Sequence, residues 1–289
     1  MAPPTITLVT VTPNPSVVGQ SVTLTATVIP LGVGTPSGTV TFIITGGPTL
    51  MGTLVGGTIS VTATGLSVGT HVVAALCSGD TNFLTSTGTN AIVVVPASTT
   101  TSVMSSPNPS ALGQPVTFTA TITPVAPGAG TPGGTVTGSG TLSGGVASFT
   151  TSALDANATA YTVTAVYNPD TATFLTSTGT DTHTVNRADT KVTITSIPNP
   201  STVGETVSYI AFVEAVPPGT GVPTGNVATA IDVMDQTVFF TSVALDSNGF
   251  TLFTDNAFPA GAYTVSSQYE GDANFNASSF DTDPHIINP

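Results

Sequence analysis

Few side chains in this sequence could perform chemistry, and they are spread along its 289 residues. The three histidines, His71, His183 and His285, lie about 100 residues apart, and none has a second histidine or a cysteine beside it. A zinc site needs three or four converging nitrogen, sulfur or oxygen ligands. The spacing therefore favours structural positions in strands over a metal centre.

A second candidate is an aspartate followed two residues later by an asparagine, a pair that occurs in two loops. Asp80 with Asn82, and Asp272 with Asn274, offer the oxygen ligands that calcium takes. The same spacing also produces an Asx turn, in which the aspartate accepts a main-chain N–H two residues on. We favour the turn and keep calcium as the alternative, because the related loop around Asp170 lacks the asparagine.

The many serines show no arrangement of nucleophile, base and acid. No Gly-x-Ser-x-Gly segment leads from a strand into a helix, and no glycine-rich phosphate loop precedes one. The single cysteine, Cys77, rules out a disulfide within the chain, and its position in a strand-like run predicts a packing role. We therefore expect neither enzymatic activity nor a cofactor.

Composition excludes several classes of partner. The sequence has 15 acidic and 2 basic residues, a formal net charge of −13. Nucleic acids and anionic membranes are bound by clusters of lysine and arginine, which this chain lacks. No apolar run approaches the roughly 18 residues needed to span a bilayer. The 58 threonines supply an uncharged polar surface, and 39% hydrophobic residues can form a core.

The tetrapeptide Pro-Asn-Pro-Ser occurs three times, at residues 13–16, 107–110 and 198–201. After each copy come, in the same order, a glycine, a strand-like run, a Pro-x-Gly segment and an aspartate-containing loop that ends in phenylalanine. Landmarks in one order at a fixed period indicate internal repeats. We therefore predict three domains, at residues 1–97, 98–187 and 188–289, and call them repeats 1, 2 and 3.

Within each repeat the hydrophobic residues recur with a period of two. Val22, Leu24, Ala26 and Val28, for example, alternate with threonines. This period predicts half-buried strands, and threonine favours a strand while its hydroxyl faces water. The class is therefore all-β, with a sandwich or barrel in each repeat. Because the linkers are short, three repeats end to end would form a rod on the order of 100 Å long.

The order of these landmarks resembles the bacterial immunoglobulin-like repeats of surface proteins. The first core strand, the Pro-x-Gly segment and the Tyr-Thr-Val-x-x-x-Tyr segments at residues 161–167 and 263–269 carry the resemblance. It implies three tandem immunoglobulin-like β-sandwich domains, with Tyr161 and Tyr263 as tyrosine-corner residues. It also implies that Ala211 and Val265 stand where antibody domains have a disulfide, with Ala120 and Val163 in repeat 2. It implies no activity, because this fold serves many functions.

Repeat 3 departs from the other two. It carries a net charge of −10, against −1 for repeat 1 and −2 for repeat 2, and eight of the 13 phenylalanines. Ile210 and Phe212 stand where the other repeats have outward threonines, and Phe239 and Phe240 face opposite sides of a strand. Outward aromatic residues predict a surface that another chain or domain covers. The alternative is that loops of repeat 3 itself cover them.

These observations predict a structural protein outside the cell, a rod or filament subunit that contacts itself or neighbouring subunits. One alternative is an adhesin or a glycan-binding surface protein whose ligand site lies in repeat 3. Another is a decoration or tail protein of a virion, because the residues after Met1 lack the basic start and apolar stretch of a secretory signal. We expect an extracellular or cell-surface location, or a virion.

Overall fold

In the computed structural model, which describes residues 2–138 and 140–289, the chain forms β-strands and contains no helix. Repeat 1 contains β1 (Thr5–Thr12), β2 (Ser16–Val17), β3 (Val22–Pro30), β4 (Thr39–Ile44), β5 (Thr49–Thr53), β6 (Thr58–Ala63), β7 (Gly69–Cys77) and β8 (Ser86–Val95). Repeat 2 contains β9 (Thr99–Ser106), β10 (Ser110–Ala111), β11 (Val116–Pro124), β12 (Gly134–Val136), β13 (Gly140–Thr141), β14 (Val146–Thr151), β15 (Tyr161–Pro169), β16 (Ser177–His183) and β17 (Val185–Asn186). Repeat 3 contains β18 (Thr190–Ile197), β19 (Ser201–Thr202), β20 (Val207–Ala215), β21 (Asn226–Val233), β22 (Gln236–Ala244), β23 (Phe250–Asp255), β24 (Gly261–Tyr269) and β25 (Asp281–Asn288). The described part of the chain has no helical segment with the length and apolarity that crossing a bilayer requires.

The chain divides into two compact units. The first unit comprises Met1–Val103, Thr119–Ser148 and Thr164–Thr180, and the second comprises Met104–Phe118, Phe149–Val163 and Asp181–Pro289. Each unit thus holds one terminal repeat and a part of repeat 2. The division into three domains with boundaries after residues 97 and 187 stays a prediction.

Repeat 1, in the first unit, forms two sheets with the strand orders β1-β3-β6 and β2-β8-β7-β4-β5. On β3, Val22, Leu24, Ala26 and Val28 are buried, and the threonines between them point away from the core. Buried residues from β4, β7 and β8 complete the same core from the second sheet. The period of two read from the sequence is confirmed, and two sheets around one core make a β-sandwich.

Repeat 2 contains a three-stranded sheet of order β14-β11-β9, a four-stranded sheet of order β13-β12-β15-β16, and the short pair β10-β17. Its strands belong partly to each unit. Val116, Ala120 and Ile122 of β11 are buried, which matches the alternation of β3. The strand pattern of repeat 1 therefore recurs here with shorter elements.

Repeat 3, in the second unit, has sheets of order β18-β20-β23 and β19-β25-β24-β21-β22. Its core contains stacked aromatic rings, because Tyr209 lies 4.7 Å from Phe253 and Phe253 lies 5.5 Å from Phe239, between ring centroids. Ala211 and Val265 are buried in the same core, at the disulfide sites of antibody domains. Much of the phenylalanine excess of repeat 3 thus fills its interior.

The Pro-Asn-Pro-Ser motif is where the first strand of a repeat leaves one sheet and joins the other. In repeat 1, Asn14 donates its Nδ2 to the carbonyl of Ala91 at 2.9 Å, and its Oδ1 accepts the N–H of Val93 at 2.9 Å. Asn108 and Asn199 bind the last strand of their own repeats in the same way. The asparagine amide thus takes the place of a main-chain peptide, and the following serine begins a short strand parallel to the last one.

Candidate functional site

The two Asp-x-Asn loops have the hydrogen bonds of an Asx turn. Asp80 Oδ1 accepts the main-chain N–H of Asn82 at 2.7 Å and that of Phe83 at 2.8 Å. Its Oδ2 accepts the hydroxyl and the N–H of Ser37, which tie the loop to the strand opening. The hydroxyl of Ser37 is the main reason that the pKa of Asp80 falls to about 2.

Asp272 repeats this arrangement with Thr224 in place of Ser37. Burial alone would raise the pKa of Asp272, but the bonds from Thr224, Asn274 and Phe275 outweigh it and hold the pKa below its usual value. Within the described residues no group of three or more histidine, cysteine, aspartate or glutamate side chains could hold a metal ion. The carboxylates thus close their loops in this structure, and calcium binding at Asp80, Asn82, Asp272 and Asn274 stays the alternative.

We expect Asp272→Asn to destabilise repeat 3 by about 1–2 kcal/mol, because an amide offers one acceptor oxygen where the carboxylate offers two. Chemical denaturation at pH 7 followed by circular dichroism measures the loss. Asp170→Asn, in the related loop of repeat 2, is the control and should change the unfolding free energy less. Equal losses in the two variants, or recovery on adding calcium, would contradict the turn.

Two of the three histidines lie in buried hydroxyl networks. His285 Nδ1 lies 2.9 Å from Ser196 Oγ, and its Nε2 lies 3.0 Å from Ser201 Oγ. His183 keeps only the second contact, with Ser110 Oγ at 3.0 Å, and its buried Nδ1 has no hydrogen-bond partner in the described part of the chain. Burial lowers the pKa of both histidines. The preference for structural strand positions holds for both.

The third histidine replaces a tyrosine corner. Tyr263 Oη donates to the carbonyl of Pro259 at 2.9 Å, and Tyr161 Oη donates to that of Asp155 at 2.9 Å, as the resemblance implies. In repeat 1, His71 Nε2 lies 2.8 Å from the carbonyl of Ser67, four residues upstream, which is the spacing of the tyrosine bond in repeat 3. His71 thus closes the corner with an imidazole.

Cys77 occupies a packing position. It is buried and pairs with Val40, as Tyr167 pairs with Val136 and Tyr269 with Val227 in the other repeats. The tyrosines at this position are also fully buried. The packing role predicted from the sequence is confirmed.

The four interface candidates of repeat 3 divide between its surface and its core. Ile210 and Phe212 are half-buried on the outer face of β20, and the ring of Phe212 stacks on Phe250 of β23 at 4.5 Å between centroids. Phe240 is 65% exposed, whereas Phe239 turns inward and stacks on Phe253. Ile210 and Phe212 form an apolar strip with Phe250 and Leu252, whereas Phe240 lies on the other sheet. Whether another chain covers either surface stays a prediction.

A contact between neighbouring repeats occurs at the turn after the Pro-Asn-Pro-Ser motif. In the first unit, the N–H of Ala129 in repeat 2 donates to the carbonyl of Val18 in repeat 1 at 3.1 Å. Gly19 lies so close that a Cβ on it would meet the main-chain N and O of Ala129 at 2.7 Å. This close approach requires glycine at position 19, and its φ of +83° also favours glycine.

The second unit contains the same contact one repeat later. Thr220 of repeat 3 donates its N–H to the carbonyl of Leu112 in repeat 2 at 3.0 Å, and a Cβ on Gly113 would meet Thr220 Oγ1. A second hydrogen bond is added at this junction, because the N–H of Ala156 donates to Asn274 Oδ1 at 3.1 Å. We call the turn at Val18–Gly19, and its equivalent at Leu112–Gly113, the tail of a repeat. The loop of the next repeat that contacts it, around Ala129 or Thr220, is the head of that next repeat.

The head was not among the features predicted from the sequence, although it carries a repeated sequence pattern. The loops Gly32-Val33-Gly34, Gly128-Ala129-Gly130 and Gly219-Thr220-Gly221 share a Gly-x-Gly pattern just before the Pro-x-Gly segment. The first glycine of the pattern lets the linker approach, since a Cβ on Gly128 or Gly219 would meet Ala97 or Ala188 at 2.6 and 2.4 Å. A repeated glycine pair therefore marks a close contact between chain segments.

Two solved structures of tandem repeats match nearly the whole length of this chain. A crystal structure of a tetra-tandem repeat in the extending region of a large adhesion protein is 18% identical over 99% of this chain and 74% of that chain, with a TM-score of 0.39. The titin domains I67–I69 are 12% identical over 100% of this chain and 99% of that chain, with a TM-score of 0.35. At these identities the likeness concerns the fold alone. No curated protein matches the sequence.

The family is shown by the sequence itself. The model of the bacterial Ig-like domain (group 3) matches residues 9–96 and 194–284, which is more than half of the chain. These two segments are the terminal repeats, whose paired sheets, tyrosine-corner bonds and strand orders are described above. The chain therefore belongs to the bacterial immunoglobulin-like domain family, group 3.

Proposed function

We propose that this chain is a non-catalytic structural protein on the outside of a cell, in which tandem immunoglobulin-like repeats form a stiff spacer or filament subunit. The observation that carries the proposal is the head-to-tail contact, which recurs with the same hydrogen bond and a glycine at the same position. Flexible tethers need no such contacts, because the linker alone keeps the domains together.

The surface chemistry supports a location outside the cell. Hydroxyl pairs join neighbouring strands at exposed sites where other proteins place ion pairs, as between Thr25 and Ser60 at 2.7 Å and between Thr100 and Thr123 at 2.8 Å. These contacts carry no charge, so salt does not screen them. Arg187 and Lys191 are the only two sites for trypsin-like proteases in the sequence, which favours survival among secreted enzymes.

Small-angle X-ray scattering of the full chain at low concentration tests the stiff spacer. We expect a radius of gyration of about 30 Å, that of a rod on the order of 100 Å long built from strands with a 3.3 Å rise. A compact globule of 289 residues would have a radius of gyration of about 19 Å. A value near the smaller figure, or scattering typical of freely jointed domains, would contradict the proposal.

A second candidate function is adhesion through repeat 3, favoured by the outward stack of Phe212 and Phe250 beside Leu252, which is 58% exposed. Exposed aromatic rings are common in binding surfaces for sugars and proteins. A glycan array probed with the full chain and with Phe250→Thr, which introduces the residue of repeat 1 at the equivalent position, Thr58, tests it. Binding that is lost in Phe250→Thr would favour the adhesin over the spacer.

A further inference from the structure

The tail of repeat 3 differs in exposure from the tails of repeats 1 and 2. Val18 and Leu112, the tail residues of repeats 1 and 2, are each 9% exposed under the head of the next repeat. The equivalent residue of repeat 3, Val203, is 54% exposed, and a Cβ on Gly204 would meet no atom within 4 Å. The position is equivalent because Val18, Leu112 and Val203 each donate their N–H to the last strand of their own repeat. The tail of repeat 3 is therefore exposed in this structure, unlike the tails of repeats 1 and 2.

The head of repeat 1 is also exposed. Ala129 and Thr220 are the head residues that donate to a tail carbonyl, and Val33 is their equivalent in repeat 1. Val33 is fully exposed, with a relative accessibility of 103%. A valine with its whole side chain in water is unfavourable, so a partner that buries Val33 would gain hydrophobic free energy.

We propose that two copies of this chain associate head to tail, with the Val33 loop of one copy on the Val203–Gly204 turn of the other. In this contact the N–H of Val33 donates to the carbonyl of Val203, and Gly204 gives the room that Gly19 gives to Ala129. The inference deepens the proposed structural function and rests on it, because repetition of the contact would extend a spacer into a filament.

Charge selects this pairing over the other end-to-end pairings. Repeat 3 carries a net charge of −10, and Glu205 lies directly beside Gly204, so two tails would repel each other. Repeat 1 has Asp80 as its single charged residue. A head on repeat 1 therefore meets the acidic tail with little repulsion, and two heads lack the glycine turn that accepts them.

No linker joins two separate copies, so their contact is weaker than the same contact between neighbouring repeats of one chain. A short linker holds neighbouring repeats at an effective concentration on the order of millimolar. Two separate copies lack this advantage, so we expect their association to depend on the protein concentration. Filaments would then form where the chain is concentrated or held at a surface.

Sedimentation velocity of the full chain over a concentration series tests the proposal. We expect the sedimentation coefficient of the wild type to rise with concentration. Gly204→Ala places a methyl group in the tail and Val33→Asp places a charge in the head, so each should sediment as a monomer throughout. Gly65→Ala and Met51→Asp are the matched controls, because Gly65 also has a positive φ with open space and Met51 is 68% exposed on β5, opposite Thr41 in the middle of β4. Both controls should associate as the wild type does.

Mixing the two variants gives a sharper result. Gly204→Ala keeps an intact head and Val33→Asp keeps an intact tail, so an equimolar mixture should form dimers but no longer species. A wild type that stays monomeric at all concentrations overturns the inference, as does association that persists in either variant. Neither result concerns the radius of gyration of the single chain, so failure here is distinct from failure of the stiff spacer.

Discussion

Alanine at Gly19 is expected to loosen the junction between repeats 1 and 2, whereas alanine at Gly204 leaves the junctions intact. Both glycines have a φ of +83°, so both substitutions add the same backbone strain, roughly 1–2 kcal/mol. Only at position 19 does the new Cβ meet a neighbour, the main chain of Ala129 at 2.7 Å. The main chain of Ala129 cannot rotate away as a side chain would, so the repeats must separate.

Pulsed electron–electron double resonance measures the loosening as a change in the distances between spin labels in repeats 1 and 2. The buried Cys77 needs no replacement, because labels attach to cysteines introduced at exposed positions. The distance distribution should be narrow in the wild type and in Gly204→Ala, and broad in Gly19→Ala. Equal widths in the three proteins would show that the contact does not hold the repeats in place.

The buried histidines are expected to make stability depend on pH below about 6.5. Burial lowers the pKa of His183 and His285 from 6.5 in the folded chain, so the unfolded chain binds more protons as the pH falls. Their stabilisation is therefore complete above pH 6.5 and is lost as the pH falls towards the folded pKa. Each histidine contributes a slope of about 1.4 kcal/mol per pH unit in that window.

Repeat 1 provides the variants that remove this dependence. Ile92 stands at the position of His285, and Val11 stands at the position of Ser196, both inside a stable core. The double variant His285→Ile with Ser196→Val should flatten the slope of repeat 3 in urea denaturation between pH 5 and 7.5. A slope that persists in the double variant would mean that another group titrates there.

His183→Ile should cost less than His285→Ile at pH 7.5. Isoleucine removes a buried ring nitrogen that has no partner in the described residues, which offsets part of the cost of leaving Ser110 Oγ without its histidine. His285 has partners on both nitrogens, and isoleucine would leave Ser201 Oγ without its partner while Ser196 Oγ still donates to Asp283, so the substitution should cost about 1–3 kcal/mol. Denaturation curves of the two single variants separate these cases.

The fold was largely predictable because its signals are local. The alternation of Val22, Leu24 and Ala26 with threonine gave the inward face directly, since a strand has a strict period of two. Tyr263 and Pro259 are four residues apart, so their bond also lies within a short segment. The sequence alone therefore predicted the strands, the corner and the family resemblance.

The features that could not be predicted from the sequence depend on contacts between residues far apart in the chain. Ser196 and His285 are 89 residues apart, and only the pairing of complete strands brings them together. The heads and tails lie in different repeats, so no period within one repeat reveals them. The β21–β22 turn is a local exception, because Met234 and Asp235 adopt φ of 47° and 61°, where glycine or asparagine is expected.

The short parallel strands have a mechanical consequence. In each repeat the strand that follows the Pro-Asn-Pro-Ser motif lies parallel to the last strand, as Ser16–Val17 lies beside β8. Tension on the two ends of a repeat pulls these partners past each other, so their hydrogen bonds are loaded in shear and must break together. Pulling an antiparallel hairpin apart would instead break its bonds one at a time. The hydrogen bonds of the parallel strands thus lie where a force on the ends of the repeat would act first.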